Sequence, residues 1–144
     1  MAYINPIINK KIRPTKEDLA EMMGPGRYRR FDAVYEELIG MDIGAAVVWD
    51  KIQEQWYYQF RSAGVNLFQI RWGLDFFYGD FTLAPNQYTN LLRHSEVTKD
   101  VKGLLQANPV KSSRNSSHIE LNLEKISDQE VFFELLELQL KVML

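Results

Sequence analysis

The apolar positions of this chain change their period twice. From Tyr28 onward Phe31, Val34, Tyr35, Leu38 and Ile39 recur three and four apart, with Arg29, Arg30, Asp32, Glu36 and Glu37 between them. That period predicts an amphipathic helix ending near Gly40. Ahead of it, Thr15-Lys16-Glu17-Asp18 offers a capping hydroxyl with an acidic residue three positions on, which predicts a short helix through Met23 stopped by Gly24-Pro25-Gly26. Residues 1 to 14 carry Pro6 and Pro14 without a clear period and predict an extended arm; residues 15 to 144 read as a single domain.

The middle of the chain alternates instead. Ala46 to Trp49 is a short run of strand-forming residues, and Trp56, Tyr58 and Phe60 fall on one side of a strand with Tyr57, Gln59 and Arg61 on the other. After Ser62-Ala63-Gly64, the positions Phe68, Ile70 and Trp72 oppose Leu67, Gln69 and Arg71. After Gly73-Leu74-Asp75, the positions Phe77, Phe81 and Leu83 oppose Phe76, Tyr78, Asp80 and Thr82. Short glycine-containing turns between consecutive strands predict an antiparallel meander.

The helical period then returns. Asn86 is a candidate N-cap for a helix carrying Tyr88, Leu91 and Leu92, and Thr98 for one carrying Val101, Leu104 and Leu105. Residues 108 to 117 are polar and turn-rich. His118 to Glu124 alternates again, with Ile119, Leu121 and Leu123 inward. Ser127-Asp128-Gln129-Glu130 has the capping-box pattern before a C-terminal helix whose face is broad and apolar. The fold class these elements predict is α+β: an antiparallel sheet of four to five strands, helices packed mainly on one face, and a long C-terminal helix.

Composition narrows the chemistry. The chain of 144 residues is 46% hydrophobic and 25% charged, which suits a globular domain. A formal charge of -2 supplies no global field for phosphate backbones or anionic lipid. The absence of cysteine removes disulfides, thiolate nucleophiles and thiolate metal sites, and fits a reducing cytoplasm. No apolar run is long enough to cross a membrane and the first residues lack the pattern of a signal peptide, so the expectation is a soluble cytoplasmic protein.

Arg13-Pro14-Thr15, Glu37-Leu38-Ile39, Trp49 before a turn, Trp56 to Arg61, Gly79-Asp80-Phe81-Thr82-Leu83 and Ile119-Glu120-Leu121 occur in that order. In these features the chain resembles a bacterial family known only as domain of unknown function 3788, over nearly its whole length from about residue 13. The order of elements is also similar to that of YdhG-like domains and, more distantly, GyrI-like ligand-binding modules. The resemblance implies an uncharacterised α+β domain and carries over no catalytic residue. The chain departs from the family at Arg71-Trp72-Gly73-Leu74, where the pattern is an apolar strand ending in a proline turn.

The candidate ligand-binding residues are Tyr57, Gln59, Arg61, Gln69, Arg71, Tyr78 and Asp80, the polar side of the alternating strands. Guanidinium and hydroxyl groups there suit a small polar or anionic ligand, although a plain solvated sheet face has the same pattern. The clustered Trp, Tyr and Phe residues read first as sheet core and second as the wall of a pocket. An acid pair such as Asp50 and Asp80 is the enzymatic alternative. Two histidines, His94 and His118, show no metal-ligand spacing, and no phosphate-binding loop or nucleophile elbow occurs, so neither cofactor nor metal is implied. Arg27-Tyr28-Arg29-Arg30 is a small basic cluster whose tyrosine belongs to the helical period, which disfavours nucleic acid. The expected role is a non-catalytic small-molecule-binding or interaction module. A homodimer through the C-terminal helix is the third reading.

Overall fold

The computed structural model describes residues 5–73 and 76–143. The predicted turn at Leu74-Asp75, the first four residues of the arm and Leu144 lie outside the described residues. A 3-10 turn at Pro6–Ile8 is followed by α1 (Lys16–Met23), α2 (Pro25–Gly40), β1 (Gly44–Asp50), β2 (Gln55–Ser62), β3 (Val65–Trp72) and β4 (Phe77–Leu83). Then come α3 (Pro85–Arg93), α4 (Lys99–Ala107), β5 (Ser117–Asn122) and α5 (Ile126–Met143). The fold is α+β, with one antiparallel sheet in the strand order β1-β2-β3-β4-β5. The chain divides into two compact units, Met1–Phe77 and Tyr78–Leu144.

In the first unit, α1 opens on the predicted capping box: Thr15 Oγ1 accepts from Asp18 N and Asp18 Oδ2 accepts from Thr15 N. α2 starts earlier than its apolar period, because Pro25 lacks an N–H and fits the first helical turn at no cost. The β2–β3 turn has Ala63 and Gly64 at φ of 51° and 79°, and Ser62 pairs with Val65. Two left-handed residues match the right-handed strand twist. A bulge between Phe60 and Arg61 shifts the register just before this turn, and Arg61 donates from Nη2 to Gly64 O at 3.0 Å.

The core of this unit is aromatic. Phe31 of α2 is fully buried and is ringed by Tyr28, Tyr35, Tyr58, Trp72 and Phe77 at centroid separations of 5.5 to 6.2 Å. Each such pairing adds about 0.5–1.5 kcal/mol beyond its buried area. Phe60 and Phe68, facing each other across β2 and β3, stack at 4.8 Å. The arm lies on this unit: Ile7 is buried and Trp56 Nε1 donates to Asn9 O at 2.8 Å.

In the second unit β4 and β5 pair with Gly79 opposite Leu121, Asp80 opposite Glu120 and Phe81 opposite Ile119. α5 lies on the Gly79–Phe81 side. A Cβ at Gly79 would stand 2.6 Å from the Phe132 ring, so glycine is what lets that ring approach the strand. Phe132, Leu135, Leu136 and Leu138 are buried, and α5 packs on β5, α3 and α4. Much of the broad apolar face read from the sequence is therefore covered within this unit, with Val131, Leu140 and Val142 half-buried. Tyr88 Oη donates to Leu105 O at 2.7 Å and ties α3 to α4.

Two helix starts differ from the sequence reading. α3 begins at Pro85 instead of after an Asn86 cap; Gln87 Oε1 accepts from Ala84 N at 2.8 Å and supplies the cap from inside the helix. α5 begins at Ile126, which places Ser127 within its first turn. Asp128 Oδ2 instead accepts from Asn122 N at 3.1 Å, and Gln129 Nε2 donates to Leu123 O at 3.2 Å. The polar groups of the expected capping box thus tie the helix to the end of β5.

Candidate functional site

The polar side of β2 and β3 carries a closed cluster in place of a solvated surface. Arg71 lies with its guanidinium over the Tyr57 ring, 4.3 Å from the centroid, and reaches Asp50 at the end of β1. Arg71 Nη2 donates to Asp50 Oδ2 at 2.8 Å, and Nε and Nη2 donate to Gln69 Oε1 at 3.2 and 2.9 Å. Tyr57 is 9% exposed and Arg71 6%, which corrects the expectation that this face is open to water. The physical cause is a contact across the sheet: a flat cation stacks on a ring of β2 and is neutralised by a carboxylate from β1, two strands away. Gln59 faces Gln69 across the strands and is half-buried, whereas Arg61 is exposed and engaged with the turn.

Asp50 is organised from both sides. Burial alone would raise its carboxyl, but the N–H groups of Gln53 and Ile52 and the Arg71 guanidinium outweigh it and hold the pKa below 3.8. A carboxylate held ionised in this way is unsuited to general-acid chemistry. Tyr58, on the opposite side of β2, is pushed up to about 12 by burial, reinforced by Tyr35, Tyr28 and Asp32.

In the second unit Asp80 is 8% exposed and its Oδ1 contacts His118 Nε2 from the adjacent strand. Glu120, directly opposite Asp80, approaches the same nitrogen at 4.0 Å. Tyr78 pairs with Asn122 on this same side. Of the seven predicted residues, the structure gathers Tyr57, Gln69 and Arg71 around Asp50 in one unit; in the other it places Asp80 against His118, with Tyr78 further along the strand opposite Asn122. The chain's alternation puts His118 and Glu120 outward, but only the β4–β5 register shows that they meet Asp80.

A different feature of the first unit offers space. Two adjoining hollows, of about 240 and 90 Å³, share Asn5, Met22, Trp72 and Gly73 as walls. The larger is completed by Ile7, Ile8 and Gln55, the smaller by Met23, Arg27 and Phe76. Trp72 Nε1 donates to Met23 Sδ at 3.2 Å, which fixes the indole edge. Phe76 is 38% exposed and Ile8 56%, so apolar surface continues to the mouth. A third crevice, of about 160 Å³, lies in the second unit between Glu96, Thr98, Glu134, Glu137, Leu138 and Lys141 and is largely charged.

The aromatic cluster's second reading, as a pocket wall, includes Trp72 and Phe76 but not Asn5, Met22, Arg27 or Gln55. A further signal is the pair Met22-Met23 beside a helix-breaking Gly-Pro-Gly, since flexible thioethers suit adaptable apolar surfaces. In the basic cluster, Tyr28 is half-buried with its ring 6.1 Å from that of Phe31, and Arg29 and Arg30 are exposed.

Together the fold and these surfaces define an α+β domain with an apolar hollow in one unit and an Asp-His-Glu cluster in the other. No family model, no curated protein and no solved structure matches the chain. No helix among the described residues is long and apolar enough to cross a membrane.

Proposed function

We propose that this chain is a non-catalytic binding domain that holds a small, mainly apolar, planar molecule bearing one or two polar groups in the hollow beside Trp72. The observation that carries this reading is the composition of the walls: Ile7, Met22, Met23, Trp72 and Phe76 are apolar, and Asn5, Gln55 and Arg27 stand among them. Ligand sites commonly combine mostly apolar walls with a few placed polar groups. Two methionines allow the walls to adjust to the ligand. The cytoplasm is the proposed compartment, and the resemblance to the uncharacterised bacterial family is part of the same proposal and assigns no residue.

Binding on the polar sheet face is less well supported. Arg71, the group best suited to an anion, is already stacked on Tyr57 and bonded to Asp50 and Gln69. A ligand there has to displace a buried ion pair, which costs several kcal/mol before any gain.

The test is a thermal-shift screen against small aromatic acids and amides. A ligand at a hundred times its dissociation constant stabilises the protein by about 2.7 kcal/mol. The shift is expected to vanish in Met22→Trp, whose indole fills the hollow, while the unliganded melting temperature is retained. A screen without any shift, or a shift that survives Met22→Trp, would sink the proposal.

A further inference from the structure

Asp80 and Glu120 face each other across β4 and β5, two carboxylates in a directly paired register. Like charges at such positions oppose strand pairing. His118 stands diagonally between them, with Nε2 against Asp80 and 4.0 Å from Glu120. One ligand atom from each residue lies within 4.8 Å of the other two. We infer that Asp80, His118 and Glu120 form a site for one divalent transition-metal ion of the zinc or manganese type.

The donor set is the first reason. Imidazole nitrogen with two carboxylate oxygens suits borderline ions such as Zn²⁺, Mn²⁺ and Fe²⁺, and three protein ligands leave positions for water or an outer ligand. Geometry is the second. Ligands about 2.1 Å from a tetrahedral ion stand roughly 3.4 Å apart, so Glu120 has to approach by little more than 1 Å at most while Asp80 and His118 Nε2, now in direct contact, part to admit the ion. Asp80 and His118 sit on paired strands, and the Glu120 side chain is 58% exposed and free to swing inward.

Arg114 makes the proposal specific. Its Nη1 stands 3.4 Å from His118 Nδ1. A guanidinium can only donate, so Arg114 offers a donor to the ring nitrogen that faces away from Asp80. Its side chain is exposed and able to leave. Arg114 therefore competes with the metal without touching it, and metal-bound imidazoles in general prefer an acceptor at their other nitrogen.

The experiment uses the full chain without a histidine tag. Zn²⁺ is titrated by calorimetry and Co²⁺ by visible absorption at pH 7.5. One equivalent should bind, with d–d bands from mixed nitrogen and oxygen ligands. Losing an outer partner of a ligand already weakens metal sites about 10–100-fold, so Glu120→Gln should weaken binding by at least about tenfold. Glu120 is exposed, so that variant keeps its fold, checked by circular dichroism; His118→Ala should remove the d–d bands. Arg114→Ala should tighten binding. Absence of a bound equivalent, or binding unchanged in Glu120→Gln, would overturn the site; failure of Arg114→Ala to tighten it would overturn the competing role of Arg114.

Discussion

Arg71 and Trp72 are neighbours in β3, yet they belong to opposite faces and opposite kinds of structure. On one face a cation is held by a ring, a carboxylate and an amide. On the other, Trp72 is packed against Phe31 and Tyr58 and still borders an unfilled hollow. Charged and amide groups bonded to one another mark the closed face, and mainly apolar residues with a few polar groups mark the open one. Binding capacity follows space and unfilled surface more than the inventory of polar side chains.

The difference can be broken most forcefully at Arg71. Arg71→Ala leaves Asp50 charged in a site where it is 16% exposed, and removal of one partner of a buried pair typically costs about 3–5 kcal/mol. Chemical denaturation should show a loss of that order, and the double variant Asp50→Leu/Arg71→Met should recover most of it. A loss within about 0.5 kcal/mol, as for an ordinary surface substitution, would mean that the cluster is not a brace.

The two faces should also fail at opposite ends of the pH scale. Tyr58, on the Trp72 side, has a hydroxyl whose pKa is raised from 10.0 to about 12. The unfolded chain releases that proton first, so the stabilisation is complete below pH 10 and is lost as pH rises towards 12. A shift of that size corresponds to about 2–3 kcal/mol. Denaturation at alkaline pH should show this slope, reduced in Tyr58→Phe. Asp50 behaves in the reverse sense: its folded carboxyl is below 3.8, so its contribution is present above that value and is lost as pH falls through the folded value. Asp50→Asn should flatten that acid limb, at the cost of weaker pairing to Arg71; an unchanged acid limb would contradict the assignment.

The smallest effect expected on stability is that of Met22→Trp, within about 0.5–1 kcal/mol by denaturation, because the hollow can take the larger side chain. A larger loss would show that the hollow is packed against change and unsuited to a ligand.

The alternation of Trp56 to Arg61 and of Leu67 to Trp72, and the three-and-four spacing from Phe31, were enough to read the sheet and the helix that covers it. Local signals also placed Thr15 and Thr98 correctly as caps. They failed at Asn86 and Ser127, because Pro85 at the first helical position and the Asp128 link to Asn122 depend on neighbours that composition does not reveal. Arg71 was legible as a chemistry-bearing residue on the polar side, but its closure on Asp50 depends on a contact 21 residues distant in sequence. The meeting of Asp80 with His118 needs a pairing 38 residues distant, and no local period encodes it.

The central claim is that ligands enter on the Trp72 side of β3 and leave the Arg71 side undisturbed. Proton–nitrogen correlation spectra recorded during titration with the most stabilising aromatic acid test it directly. The account predicts that the Trp72 indole N–H resonance moves with ligand while the Arg71 Nε–H resonance stays in place. Movement of the Arg71 resonance with the Trp72 indole unchanged would contradict it.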